Sequence, residues 1–305
     1  MRCIPLTAIL CFAWALSAEV TRVSTPTIGI VADPVSGRLL AVEGVRGRLN
    51  LGRELSTIAV EAAWPAAEVY ALVKVEGSWR LLEWNRDWVL TRTLDLGLQD
   101  WASVVWNPAS SAWLACGDAT TGCAIYRASD GAMARKLASK EPLRAVALAD
   151  NATEALLQRG SVGLIWGSKD METTVIEGVV AAAAFLPGQS RLAVAQGSGS
   201  LLLLDAARPN PAQIEIGEGA VGTAWAPDGR QLFIAYRDGT VRLYDDAGQN
   251  AGIANCECQP GGIWPMGKSG MFRLQENTKQ QLFFVGVEDG VIQFSMLPGQ
   301  EREVL

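Results

Sequence analysis

Histidine is absent from all 305 residues. Without it the chain cannot build a Ser-His-Asp or Cys-His nucleophilic site, a His-ligated zinc or a His-ligated haem from its own residues. Charge is also scarce. Only 19% of residues are Asp, Glu, Lys or Arg, and 26 basic against 32 acidic residues leave a net charge of −6. An acidic chain with no basic run argues against nucleic acid and anionic membrane as partners. Glycine is plentiful at 31 residues but follows no Gly-x-y period, which excludes a collagen-like repeat. The chain is 49% hydrophobic, enough for a sizeable core and too much for a disordered polymer.

Long apolar runs are missing except at the start. Met1-Arg2 is a short positive opening, Cys3 to Leu16 is almost wholly apolar, and small residues follow at Ser17 and Ala18. That order is the order of a secretory signal peptide, so residues 1–18 are expected to direct export, with cleavage after Ala18 or, alternatively, Ser17. A membrane anchor competes, but an apolar stretch broken by Pro5 falls short of the roughly 20 residues that span a bilayer. A lipoprotein signal fits less well, because bulky Leu10 precedes Cys11. Losing residues 1–18 removes Arg2 and leaves 25 basic and 32 acidic residues, a net of −7. The mature protein, residues 19–305, is expected to be secreted or periplasmic, with no membrane span.

What the remainder has is a repeat. Residues 224–245, AWAPDGRQLFIAYRDGTVRLYD, read as a strand ending at Trp225, a Pro-Asp-Gly turn, a strand over 231–236, an Asp238-Gly239 turn and a third strand to Tyr244. Val241 and Leu243 alternate with Thr240 and Arg242, the period-2 pattern of a strand, and Asp-Gly between two such runs signals a hairpin. The same grammar recurs at 184–205, 105–127 and 31–51, and more faintly at 63–84, 147–166 and 280–294. Second strands are expected to open at Leu39, Val69, Leu114, Leu156, Leu192, Leu232 and Leu282, at a mean spacing near 40 residues. Periods of about 40–45 residues with four strands each mean propeller blades. The expected architecture is therefore an all-β, seven-bladed propeller of four-stranded antiparallel blades, one domain over residues 19–305.

The phrase Trp225-Ala-Pro-Asp-Gly-Arg-Gln-Leu-Phe-Ile-Ala resembles the aromatic-x-Pro-Asp-Gly segment of WD-repeat-like propellers. Leu243-Tyr244-Asp245 stands where such repeats carry Leu-Trp-Asp. Gly239-Thr-Val-Arg-Leu243 is similar to the YVTN-type repeats of exported microbial propellers. The Gly-His dipeptide and the His-Ser/Thr-Trp-Asp network of the classical WD repeat have no counterpart in a histidine-free chain. The resemblance implies fold, and fold alone does not specify function.

Small residues at Ala181–Ala184, Gly222–Ala224 and Ala145-x-Ala147-x-Ala149 suit innermost strands crowding toward an axis. Trp64, Trp106, Phe185, Trp225 and Trp264 recur at one place in their copies and are expected to pack between blades. Four cysteines remain after processing, and export permits disulfides. Cys116 and Cys123 flank a predicted turn and should face each other across two strands, inside disulfide range. Cys256-Glu-Cys258 is expected to form a local disulfide, a redox-active or metal-binding pair being the alternative; metal sites of this type want four ligands, and no second pair is in place.

Seven of the eleven tryptophans fall within residues 64–113. Trp79, Trp84, Trp88, Trp101 and Trp113 have no counterparts in the other copies, and Glu83-Trp-Asn-Arg-Asp-Trp88 mixes aromatics with charge as recognition surfaces do. Trp79, Trp84, Arg86, Asp87, Trp88 and Trp101 are therefore the candidate partner-binding residues, against the plainer reading that the tryptophans are extra packing. Asn151-Ala-Thr153 is a glycosylation sequon in a predicted turn. The functional expectation is an exported, monomeric, non-catalytic binding or scaffolding module for a protein or other extracytoplasmic ligand, with no cofactor and no metal. The alternative is a propeller enzyme, lactonase-like or a glycan-acting hydrolase, using carboxylates at the axial mouth.

Overall fold

The Asp238-Gly239 turn illustrates how the repeat folds. Gly239 takes φ 90, open to glycine at no steric cost, while the Asp238 side chain accepts a hydrogen bond of 2.9 Å from the Thr240 N–H. The turn joins strands Gln231–Tyr236 and Thr240–Asp245, whose register pairs Leu232 with Tyr244 and Phe233 with Leu243. Across the Pro227-Asp228-Gly229 turn, Trp225 pairs with Leu232.

In this computed structural model, residues 26–298 are described apart from 34–35, 46–47, 68, 119–120, 138, 140, 168–171, 206–207 and 275–280. The expected export segment, residues 1–18, lies outside the described residues. The rest is an all-β ring of seven blades: 27–56, 62–97, 103–137, 144–177, 180–215, 220–255 and 264–298. Blades 2 to 7 are four-stranded antiparallel meanders in simple sequence order; in blade 1 the described residues supply three strands, Thr27–Ala32, Leu39–Val45 and Arg48–Ser56. Second strands open at Leu39, Tyr70, Ala112, Ala155, Leu192, Gln231 and Met271.

Blade 7 departs from the sequence expectation. Leu282 lies on its third strand, Gln281–Glu288; the second is the short Met271–Leu274. The Glu288-Asp289-Gly290 hairpin joins third to fourth strand, so a clear turn signal was assigned to the wrong pair and the last repeat looked too long. All four strands of this blade come from residues 264–298, and among the described residues no N-terminal strand completes it.

The first strand of each blade lines the axis, and successive first strands touch. Small residues permit this approach. At Gly222 an added Cβ would lie 2.4 Å from the Ile263 nitrogen of blade 7. Trp106, Phe185 and Trp225 close their first strands, and two reach into the blade before: Trp106 Nε1 donates to the Trp64 carbonyl at 2.8 Å and Trp225 Nε1 to that of Ala184 at 3.1 Å. Trp264 instead opens its strand and packs at a different level. Buried clusters fill each joint between blades, so the core is distributed around the ring.

Candidate recognition surface

Alternating strand directions give blades 2 to 7 two faces. Turns between first and second, and third and fourth, strands form the upper face; second-to-third turns and connections between blades form the lower one. The six sequence-derived candidates divide between the two. Trp79 and Trp101 sit at the lower end of blades 2 and 3, while Trp84, Arg86, Asp87 and Trp88 belong to the upper turn after strand Ser78–Trp84. They do not form one patch.

Two of them are not on the surface. Trp79 is 2% and Trp84 1% exposed. The Trp79 ring lies 4.7 Å from that of Trp64 and 4.9 Å from that of Trp101, and its Nε1 donates to the Gln99 carbonyl at 2.9 Å. Trp101 is part-buried, 5.2 Å from Tyr126, which stacks on Trp113 at 5.3 Å. These rings join blade 2 to blade 3. Trp84 packs toward blade 1, where its Nε1 donates to the Leu55 carbonyl at 3.3 Å. The expectation that Trp79 and Trp84 meet a partner is corrected on this ground: an indole sealed between sheets spends its apolar area on the fold.

The upper turn keeps the remaining features. Asn85 organises it, its Oδ1 accepting from the N–H groups of Asp87 at 3.0 Å and Val89 at 2.9 Å. That clamp holds Trp88 at φ 58, a left-handed conformation uncommon for an aromatic residue. Arg86 and Asp87 are exposed, Trp88 is half-buried, and Val89 and Leu90 are 56% and 41% exposed. The Arg53 guanidinium of blade 1 donates to the Asp87 carbonyl, fastening the turn from the side.

Both cysteine pairs are disulfide-bonded. Cys116 and Cys123 are directly paired across strands with Cα atoms 4.1 Å apart; Cys256 and Cys258 are linked through Glu257, which takes φ 55. Both bridges lie on the lower face. The sequon residue Asn151 is exposed on the upper face, its Oδ1 accepting from the Thr153 N–H and hydroxyl. Beside it Asp150 receives the Ala109 N–H of blade 3 at 2.7 Å and the Gly188 N–H of blade 5, a link across three blades that its sequence context does not announce.

The axial wall offers little chemistry. Across the seven first strands no residue is acidic and Arg144 alone is charged. Burial lowers the pKa of its guanidinium, which donates to the Val180 carbonyl at 2.8 Å. No group of three potential metal ligands occurs among the described residues, and none of their helices is long and apolar enough to cross a membrane. An upper-face cleft of about 210 Å³ between blades 6 and 7, lined by Asp228, Gln231, Phe233 and Lys268, is below the size of most small-molecule sites.

No protein-family model matches the sequence, and no curated protein matches it. The likeness is structural. The β-propeller domain of Myceliophteria thermophila Cps50 (Swd1) aligns with a TM-score of 0.53 at 12% identity, over 65% of this chain and 70% of that one. A structure of the mitotic checkpoint complex aligns with a TM-score of 0.61 at 14% identity, over 99% of this chain and 90% of the other. By fold the chain is a seven-bladed β-propeller. At such identities the propeller shares architecture with these structures and no residue-level site.

Proposed function

We propose that this propeller is a non-catalytic binding or scaffolding module that acts outside the cytoplasm, exported by residues 1–18, and that its upper-face turn 85–90 on blade 2 contacts a protein partner. The observation that carries this reading is Trp88, held in a left-handed conformation beside exposed Arg86, Asp87, Val89 and Leu90. An aromatic with apolar and charged neighbours on a rigid turn has the composition of an interface hot spot, and such residues sit in loops on a packed scaffold. Two disulfides suit an oxidising compartment.

The test is capture from the native extracytoplasmic fraction by the mature chain and by Trp88→Ala. Loss of a hot-spot tryptophan costs about 2 kcal/mol or more, so partner recovery should fall by more than tenfold. The melting temperature should fall less than in Trp84→Ala, because Trp88 only packs one side on the core between blades 1 and 2 while Trp84 is sealed within it. Equal recovery by wild type and variant would remove the turn from the interface.

A further inference from the structure

Four arginines lie against aromatic rings, and one of them differs from the others. On the last strand of blade 3, Arg135 stands 4.6 Å from the Trp166 ring of blade 4 and donates to the carbonyls of Thr153 and Gly167 at 2.9 and 2.6 Å. In blade 5, Arg191 faces Trp225 at 5.7 Å and donates to the Asp246 carbonyl. In blade 6, Arg242 faces Tyr236 at 4.9 Å and donates to the Ile216 carbonyl at 2.6 Å. Each uses the ring on one side and backbone oxygen on the other. In blade 7, Arg273 faces Trp264 at 5.6 Å, and among the described residues nothing accepts a hydrogen bond from its guanidinium; its Nε is buried without a partner.

The surroundings of Arg273 make that vacancy costly. On strand Met271–Leu274, Phe272 and Leu274 turn toward the core shared with blade 6, so Met271 and Arg273 take the opposite side. Met271 packs there with Val31, Leu40 and Val42 of blade 1. Arg273 therefore faces the joint between the last blade and the first, opposite apolar side chains. Burial pulls its guanidinium down to about 10. A cation taken from water without a counter-charge is unfavourable, and a chain with 32 acidic residues has no shortage of carboxylates to supply one. The residue as a whole is part-buried, while its Nε is sealed from solvent.

We propose that Arg273, backed by the face of Trp264, is a binding seat for an oxyanion able to accept two parallel N–H bonds, a carboxylate or a phosphate group. The planar fork of guanidinium donors matches such an anion, and the indole face holds its charge in place. The bound anion would supply the acceptors that backbone carbonyls supply to Arg135, Arg191 and Arg242. Because the seat lies at the joint between blades 7 and 1, occupancy would also tighten the ring.

Thermal unfolding of the mature protein in sodium phosphate, sodium acetate and sodium chloride at matched ionic strength tests this. A ligand bound only by the folded state raises the melting temperature, here by about 3 °C or more over chloride once the site is filled. The anion giving the larger rise identifies the source. R273M should abolish the rise, and without added anion it should be at least as stable as wild type, because it removes a desolvated cation. A direct measurement is the Arg273 Nε–H resonance, which should shift saturably with phosphate or acetate and not with chloride. An equal rise in R273M, or no rise beyond chloride together with an unmoved Nε–H resonance, would overturn the proposal.

Discussion

The joint between blades 2 and 3 and the joint between blades 7 and 1 occupy equivalent places in the ring and are filled with different material. The first holds Trp64, Trp79, Trp101, Trp106, Trp113 and Tyr126 in a continuous run of tilted and stacked rings, with the Trp79 and Trp106 indole N–H groups on backbone carbonyls and Trp113 Nε1 buried without a partner. The second holds Met266 and Met271 against Val31, Leu40 and Val42, with Arg273 facing it. Rigid aromatics with hydrogen-bonded edges define one geometry; thioether side chains adapt to several. The tryptophan-rich joint is architecture, and the joint between blades 7 and 1 is the one of the two that holds an unpaired cation.

The largest expected effect tests the aromatic joint. Trp113 is fully buried between Trp106 and Tyr126, so Trp113→Ala should cost about 3–5 kcal/mol in denaturant unfolding. A loss below about 1 kcal/mol would mean that the rings do not hold this joint. The disulfides provide an intermediate test, since one lies in blade 3 and the other at the entry to blade 7. Loops of about eight and three residues predict losses of about 2.5 kcal/mol for the Cys116→Ala/Cys123→Ala pair and about 1.6 kcal/mol for Cys256→Ala/Cys258→Ala. Chemical denaturation of the two double variants should keep that order. A reversed order would mean that the local bridge braces the joint between blades 6 and 7 more than its short loop implies. The smallest effect belongs to Met271→Leu, a near-isovolumetric change in an adaptable setting, which should cost less than about 1.5 kcal/mol. A larger loss would show the second joint to be as demanding as the first.

Legibility followed how local the determining physics was. The ring could be read because each hairpin is specified by a few adjacent residues, as in Asp238-Gly239, and because repetition multiplies a faint signal. The Cys116–Cys123 pairing was readable for the same reason, since one turn sets the register of both cysteines. Blade 7 was misread where the second strand shrinks to Met271–Leu274 and leaves too little period-2 pattern to count. The candidate site was half legible. Composition drew attention to residues 79–101, yet an indole at an interface and an indole in a joint look alike in one dimension. Trp79 and Trp84 went to the core, and the turn around Trp88 stayed outside.

By itself, then, the sequence determined the blade: turn chemistry, strand alternation and small residues at the axis act over a few residues and survive without knowledge of neighbours. Tertiary structure alone decided what each blade meets. Whether a tryptophan is buried, whether Asp150 bridges three blades and whether Arg273 finds an acceptor depend on residues of neighbouring blades, brought near only when the ring closes. Sequence spacing repeats the hairpin, but burial and hydrogen-bond satisfaction are properties of the joint between two of them.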